Sequence, residues 1–197
     1  MKFLKENSYD VVKLFVNQIG STIFCLALYL CAGMASGELV RKLMYIFSIL
    51  AILFYCTLLY TASWDMGARD KVRIDSGKYK KMSAKGVVLS LLANIPNLVL
   101  AILASVFSLV GLISGTQSLQ GAVASLIVIM RFILSPFHGI VQLVVASVPS
   151  GAVYAMWESA SFLVLLVIPV IATQLGYSFG MRNFRMFSFM SGKKQDK

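Results

Sequence analysis

Two amide side chains flank a proline at Asn94-Ile95-Pro96-Asn97, inside an otherwise apolar stretch. Proline lacks a backbone donor and kinks a helix, so nearby carbonyl groups are left free. In a membrane helix, such carbonyls and amides can coordinate an ion or a substrate. With Ser90 one turn earlier, Asn94 and Asn97 form a candidate polar stripe. The alternative is an ordinary kink whose amides bond to neighbouring helices, and a position about two turns from the helix start favours it.

Arg131 is the one charged residue expected inside a strongly apolar run, and the one histidine, His138, follows it seven residues later. A charge within a membrane span is a candidate functional residue. Together these side chains could hold an anionic lipid or substrate headgroup. The alternative, which we favour, is that Arg131 extends to the cytoplasmic interface and anchors its helix there.

Patterns typical of enzymes and of metal sites are missing from the sequence. There is one histidine, and the apolar runs are expected to contain no carboxylate. The three cysteines, Cys25, Cys31 and Cys56, lie in apolar runs and are expected to pack as small apolar groups. Ser150 is a poor partner for His138 because the two are expected at opposite faces of the membrane. We therefore expect a protein that is not an enzyme and that has no cofactor and no metal.

The composition explains why these residues must be considered within a membrane. Of 197 residues, 58% are hydrophobic and 13% are charged, and the mean hydropathy is +0.81. Soluble domains contain about 25% charged residues. The chain is therefore not a soluble globular, disordered or nucleic-acid-binding domain. It is predicted to be all-α, a single transmembrane helical bundle.

Four apolar runs are long enough to span a bilayer, which takes about 20 residues. They cover residues 14–35, 43–64, 86–113 and 160–181. Fifteen of the 18 Lys and Arg residues lie in the N-terminal arm, in a loop at 65–85 and in the C-terminal tail. The positive-inside rule places all three basic segments, and therefore both termini, in the cytoplasm. The membrane is expected to be the cell membrane. This also explains the net charge of +10 without a nucleic-acid partner.

The apolar segment between the third and last spans, 121–149, must then begin and end outside. Arg131, Pro136 and His138 interrupt it. Either it is a re-entrant hairpin with its tip at 135–139, or it forms two short spans, 119–135 and 138–157. We favour two crossings, which gives six helices, with the connection at 150–159 outside.

Small and polar residues recur at helical spacing along the third span. The series comprises Ser90, Asn94, Asn97, Ala101, Ala104, Ser108 and Gly111. Shorter series are Ala172, Gly176 and Gly180 in the last span and Gly33 with Gly37 near the first. Small residues let membrane helices approach closely, so these faces should contact protein. They would pack within the bundle, or alternatively against a second copy or another membrane subunit.

The cytoplasmic loop has two parts. Charges alternate in sign from Asp65 to Asp75, and an Asp65–Arg69 pair would form if this part is helical. The second part is basic, at Lys78, Lys80 and Lys81. On an anionic leaflet each cation would contribute about 1 kcal/mol. The loop is thus either a determinant of topology or, with Arg69, a surface for anionic lipid headgroups or a partner.

The leading functional hypothesis is a non-enzymatic accessory protein or subunit of a membrane assembly. A small transporter or channel that uses the polar stripe of the third span is the alternative. A membrane enzyme is a third hypothesis, which the missing catalytic groups disfavour.

Overall fold

The computed structural model is helical wherever it has regular secondary structure, and it describes residues 2–34, 36–77, 82–115, 117–149 and 151–184. Eight helices follow one another: α1 Lys2–Gly33, α2 Glu38–Asp75, α3 Lys85–Ala93, α4 Ile95–Ser114, α5 Gln117–Ile133, α6 Ser135–Val145, α7 Ala152–Leu165 and α8 Val167–Met181. Four helical stretches are long and apolar enough to cross a membrane: Lys5–Gly33, Glu38–Asp75, Ile95–Ser114 and Val153–Met181. The prediction of an all-helical membrane protein is confirmed.

Proline determines where three of these helices break. Single residues separate α3 from α4, α5 from α6 and α7 from α8, namely Asn94, Leu134 and Leu166. Each lies two or three residues before a proline, Pro96, Pro136 or Pro169, which cannot donate to the preceding turn and clashes with it. The break at Asn94 agrees with the kink that the sequence predicts. The break at Leu166 does not follow from the sequence pattern, which predicts a last span that is continuous from residue 160.

Two glycines allow α8 to pack directly on α2. A Cβ atom at Gly176 would lie 2.5 Å from the carbonyl oxygen of Tyr60, and one at Gly180 would overlap the carbonyl of Trp64. The two helices therefore run in the same direction with their backbones in contact. The predicted small-residue face of the last span is confirmed. Gly33 and Gly37 differ, since a Cβ at either would have no described atom within 4 Å.

The small and polar series of α3 and α4 faces protein, as predicted. All seven members are buried, from Ser90 to Gly111. Residues on the opposite face are between 43% and 48% exposed: Leu91, Ile95, Ile102, Val106 and Val110. In a bilayer this second face contacts lipid.

The hairpin segment, residues 117–145, consists of α5 with 17 residues and α6 with 11. The hydroxyl of Ser48 donates to the carbonyl of Pro136 at 2.5 Å, and Gly139 packs against Met44. As the chain advances along α6 it therefore moves back toward the start of α2. The helix expected over 138–157 ends at Val145, and the next begins at 152 rather than 160. One continuous helix over 138–157 is not possible because Gly151 has a φ of 122°, which no residue inside an α-helix adopts.

The start of α1 and the end of α8 lie at the same end of the bundle. Asp10 of α1 pairs with Arg69 of α2 at 2.7 Å, and the Trp64 indole donates to the carbonyl of Phe184 at 2.8 Å. The first part of the expected loop, up to Asp75, is instead a continuation of α2, so this helix is longer than the span expected over 43–64.

The expected Asp65–Arg69 ion pair is wrong, because Arg69 reaches Asp10 on the neighbouring helix instead. Asp65 pairs with Lys13 at 3.7 Å. Lys78, Lys80 and Lys81 lie outside the described residues.

Candidate functional site

The predicted stripe residues Ser90, Asn94 and Asn97 form an amide cluster together with Gln18, whose Nε2 is buried without a hydrogen-bond partner among the described residues. The Asn97 amide donates to Oε1 of Gln18 at 2.8 Å and to Oδ1 of Asn94 at 3.1 Å. The Asn94 side-chain amide donates to the carbonyl of Ser90 at 2.9 Å, and that carbonyl also accepts the backbone N–H of Asn94. All four residues are buried. The cluster thus joins α1 to α3 and α4, and Gln18 is a member that the analysis of the sequence missed.

A second polar group joins α5 to α7. Arg131 Nε donates to Oε1 of Glu158 at 2.6 Å, and Nη2 donates to Oε2 at 2.8 Å. Two parallel hydrogen bonds between a guanidinium and a carboxylate are the strongest geometry for an ion pair. The Glu158 side chain is 0% exposed, whereas that of Arg131 is 39% exposed.

Glu158 overturns two expectations. The apolar part of the bundle was expected to contain no carboxylate, and residues 150–159 were expected to be an outer connection. Instead, Glu158 lies in α7, within the helical stretch long enough to span a membrane. Arg131 also has a partner that its interpretation as an interfacial anchor did not include. It is held by a buried carboxylate on another helix.

Arg131 and Glu158 line a cavity of about 300 Å³, which we call the Arg131 cavity. It lies between α4, α5 and α7. Gly111, Gln120 and Gly151 line it near the ends of these helices. Gln120 and Arg131 are separated by 11 positions of one helix, or about 16 Å, so the cavity runs from the end of the bundle toward its middle.

His138 faces a different cavity, of about 380 Å³, between α2 and α6. Arg41 and Gln142 also line it. The His138 ring lies edge-on to Tyr29 with centroids 6.4 Å apart, and its Nδ1 is buried without a hydrogen-bond partner among the described residues. Arg131 and His138, which the sequence suggested could hold one headgroup together, therefore line different cavities.

A third polar group lies at the end of the bundle that holds the start of α1. Lys85 Nζ is 2.6 Å from Oδ2 of Asp70, and the Tyr177 hydroxyl donates to the same oxygen at 3.0 Å. The Lys85 and Asp70 side chains are 1% and 4% exposed. This group ties together α2, α3 and α8. The sequence analysis assigned Lys85 to the cytoplasmic loop. Its position directly before the third apolar run is the one feature of the sequence that suggests a role in the helix instead.

The described residues contain no cluster of three or more His, Cys, Asp or Glu that could hold a metal ion. The polar groups of the described interior include the Arg131–Glu158 and Lys85–Asp70 ion pairs and the amide cluster. Comparison with protein-family models, with curated proteins and with solved structures finds no match to this chain.

Proposed function

We propose that this chain is a non-enzymatic, multi-pass protein of the cell membrane that acts as an accessory or subunit of a larger membrane assembly. The amide cluster carries the proposal. A permeation path along the third span would need Asn94 and Asn97 to face water, but both are buried and bond to one another, and Asn97 also bonds to Gln18. Their arrangement is suited to holding α1 against α3 and α4.

Among the described residues, Glu158 is the carboxylate in the centre of the bundle, and its hydrogen bonding supports a role without catalysis. Both oxygens of Glu158 accept hydrogen bonds from Arg131, and the side chain is fully buried. A general base must reach the proton that it removes. Glu158 is paired with a cation through both oxygens and has no exposed surface, so it is poorly placed to reach a substrate.

The proposal includes a topology in which both termini are cytoplasmic and the hairpin segment is re-entrant. The start of α1 and the end of α8 share one end of the bundle, in agreement with the distribution of basic residues. Ser48, which contacts Pro136 at the tip, lies ten residues into α2, or about 15 Å from its start. Because α2 opens with the charged residues Glu38, Arg41 and Lys42, the apolar span starts near residue 43, and Ser48 lies about 8 Å into it, or about a quarter of a 30 Å hydrocarbon core. We therefore revise the favoured count to four spans and one re-entrant hairpin.

Cysteine accessibility tests this topology. In a background with Cys25, Cys31 and Cys56 replaced by Ala, Phe132→Cys places a thiol on the exposed face near the tip. We expect no reaction with a membrane-impermeant maleimide from either side, because the tip stops inside the bilayer. Ser147→Cys, in the loop after α6, should react from outside only. Reaction of the Phe132→Cys variant from the cytoplasm would instead establish two full crossings.

A transporter or channel is the second candidate function. The observation in its favour is that three helices break inside the bundle, and one of these breaks, at Leu134, is three residues from Arg131. Broken helices beside ionisable groups are common at transport sites.

Reconstitution separates the two functions. Liposomes with purified protein should show no flux above empty liposomes for a panel of ions and small solutes. In native membranes, gentle solubilisation should release the chain in a complex much larger than its 21.6 kDa. Two differently tagged copies distinguish a homodimer from a complex with another subunit. A flux that Asn97→Ala abolishes while the thermal stability stays unchanged would contradict the accessory role.

A further inference from the structure

We propose that the Arg131 cavity is a binding site for an anionic, acceptor-rich group, a phosphate or a carboxylate, which the guanidinium of Arg131 holds. This inference goes beyond the proposed function and does not depend on it.

The donor groups of Arg131 are the first argument. A guanidinium carries five N–H donors in a planar fork. Two of them, on Nε and Nη2, are used by Glu158. The remaining donors belong to the outer edge of the group, and the side chain is 39% exposed where its partner is fully buried. The cavity is therefore offered N–H donors from Arg131, whereas the Glu158 carboxylate is paired with the guanidinium and has no exposed surface.

The difference between the exposed donors of Arg131 and the buried carboxylate of Glu158 favours an anionic ligand with several acceptor atoms. Planar guanidinium groups recognise phosphate and carboxylate through pairs of parallel hydrogen bonds. Glu158 offsets the charge of Arg131, so attraction at long range is weak and recognition depends on these short contacts. The carboxylate also fixes the guanidinium, which presents its free edge in a single orientation. A cationic ligand would find no exposed acceptor here, because the Arg131 guanidinium has none and the Glu158 carboxylate is fully buried.

The walls of the cavity indicate where such a group could come from. Val123 and Ile127 are buried beside Arg131, and the lining is mostly apolar. Val128, also part of the lining, is 61% exposed on the face that meets lipid. Gln120 and Gly151 are exposed near the end of the bundle. A phospholipid headgroup could thus enter from the bilayer, and a free anion from the aqueous side.

Three probes separate these sources when added to the purified full-length protein in a neutral detergent. They are a short-chain phosphatidylglycerol, the matching diacylglycerol without phosphate, and inorganic phosphate. We expect phosphatidylglycerol to bind about tenfold or more tightly than the diacylglycerol, as hydrogen bonds to a charged group imply. Binding is measured by the shift in thermal unfolding and by native mass spectrometry.

The matched variants assign that preference to Arg131. The double variant Arg131→Gln/Glu158→Gln replaces the ion pair by two amides and removes both charges. We expect it to lose the preference for phosphatidylglycerol over diacylglycerol. Glu158→Gln alone keeps the guanidinium and should retain it. Arg41→Gln removes a cation that lines the other cavity and should also retain it.

A photoactivatable phosphatidylglycerol on the wild type gives a measurement that requires no variant to fold. Adducts within 120–131 or 151–158 would support the site. If inorganic phosphate displaces the lipid at similar concentrations, the ligand is a free anion, and if it does not, the ligand is a headgroup. Equal binding of phosphatidylglycerol and diacylglycerol, a preference that survives in the double variant, or adducts exclusively elsewhere would overturn the proposal.

Discussion

Arg131 and Glu158 are joined by two hydrogen bonds of 2.6 and 2.8 Å, although they are 27 residues apart and lie on different helices. Each residue makes the other tolerable in an apolar bundle. An unpaired Glu158 would be a fully buried charge, and an unpaired Arg131 would be a partly buried one. The pair thereby connects α5, the first arm of the hairpin segment, to α7.

Replacing one member of this pair should lower the free energy of unfolding far more than replacing both. We expect Arg131→Met to reduce the free energy of unfolding by about 3–5 kcal/mol, because it leaves Glu158 buried without its partner. Arg131→Met with Glu158→Met should be close to the wild type, since apolar residues can replace a buried pair with little loss. Thermal unfolding in detergent compares the three proteins. A double variant as unstable as the single one would show that the pair itself stabilises the bundle.

The contact between α2 and α8 should not tolerate a methyl group. Gly176→Ala would place its Cβ 2.5 Å from the Tyr60 carbonyl oxygen, so the helices must separate. We expect a loss of about 1–3 kcal/mol, typical of overpacking. Gly20→Ala is the matched control, because a Cβ there has no described atom within 4 Å. It should be neutral or slightly stabilising. Equal melting temperatures for the two variants would contradict the close approach.

The two cations near Asp70 should differ greatly in their contribution. Lys85 is 1% exposed and lies 2.6 Å from the Asp70 carboxylate, whereas Arg73 is 59% exposed and lies 4.0 Å from it. Lys85→Met should cost about 3–5 kcal/mol, as for a broken buried pair. Arg73→Met should cost less than about 1 kcal/mol, as for an exposed pair. Chemical unfolding of both variants in the same detergent measures the difference, and similar losses would argue against a buried Lys85.

The amide cluster should contribute modestly to stability. Asn97→Ala removes the hydrogen bonds to Gln18 and Asn94, and such bonds between membrane helices average about 0.6 kcal/mol each. We therefore expect a loss of about 1 kcal/mol. Thr57→Ala is the control, because Thr57 bonds to Leu53 within its own helix. A loss several times larger in Asn97→Ala would indicate that the cluster determines how α1 packs.

The sequence by itself determined that the chain is helical, where its long apolar helices lie, and which face of the third span is buried. A bilayer requires about 20 apolar residues for a span and excludes polar groups that lack partners. Length and composition therefore suffice to find the spanning helices, and the spacing of Ser90, Ala101 and Gly111 is enough to identify the buried face. The kink before Pro96 follows from proline itself. These are properties of single helices.

Only the tertiary structure decided which polar groups meet. Arg131 could have extended to the interface, and Arg69 could have paired with Asp65 on its own helix. Their actual partners, Glu158 and Asp10, lie on helices whose rotation and depth depend on the packing of the entire bundle. The same holds for the hairpin segment, because its return depends on contacts between Pro136 and Ser48. Charge and periodicity show that a residue needs a polar partner or a buried face. The packing of helices that are distant in sequence decides which residue becomes that partner.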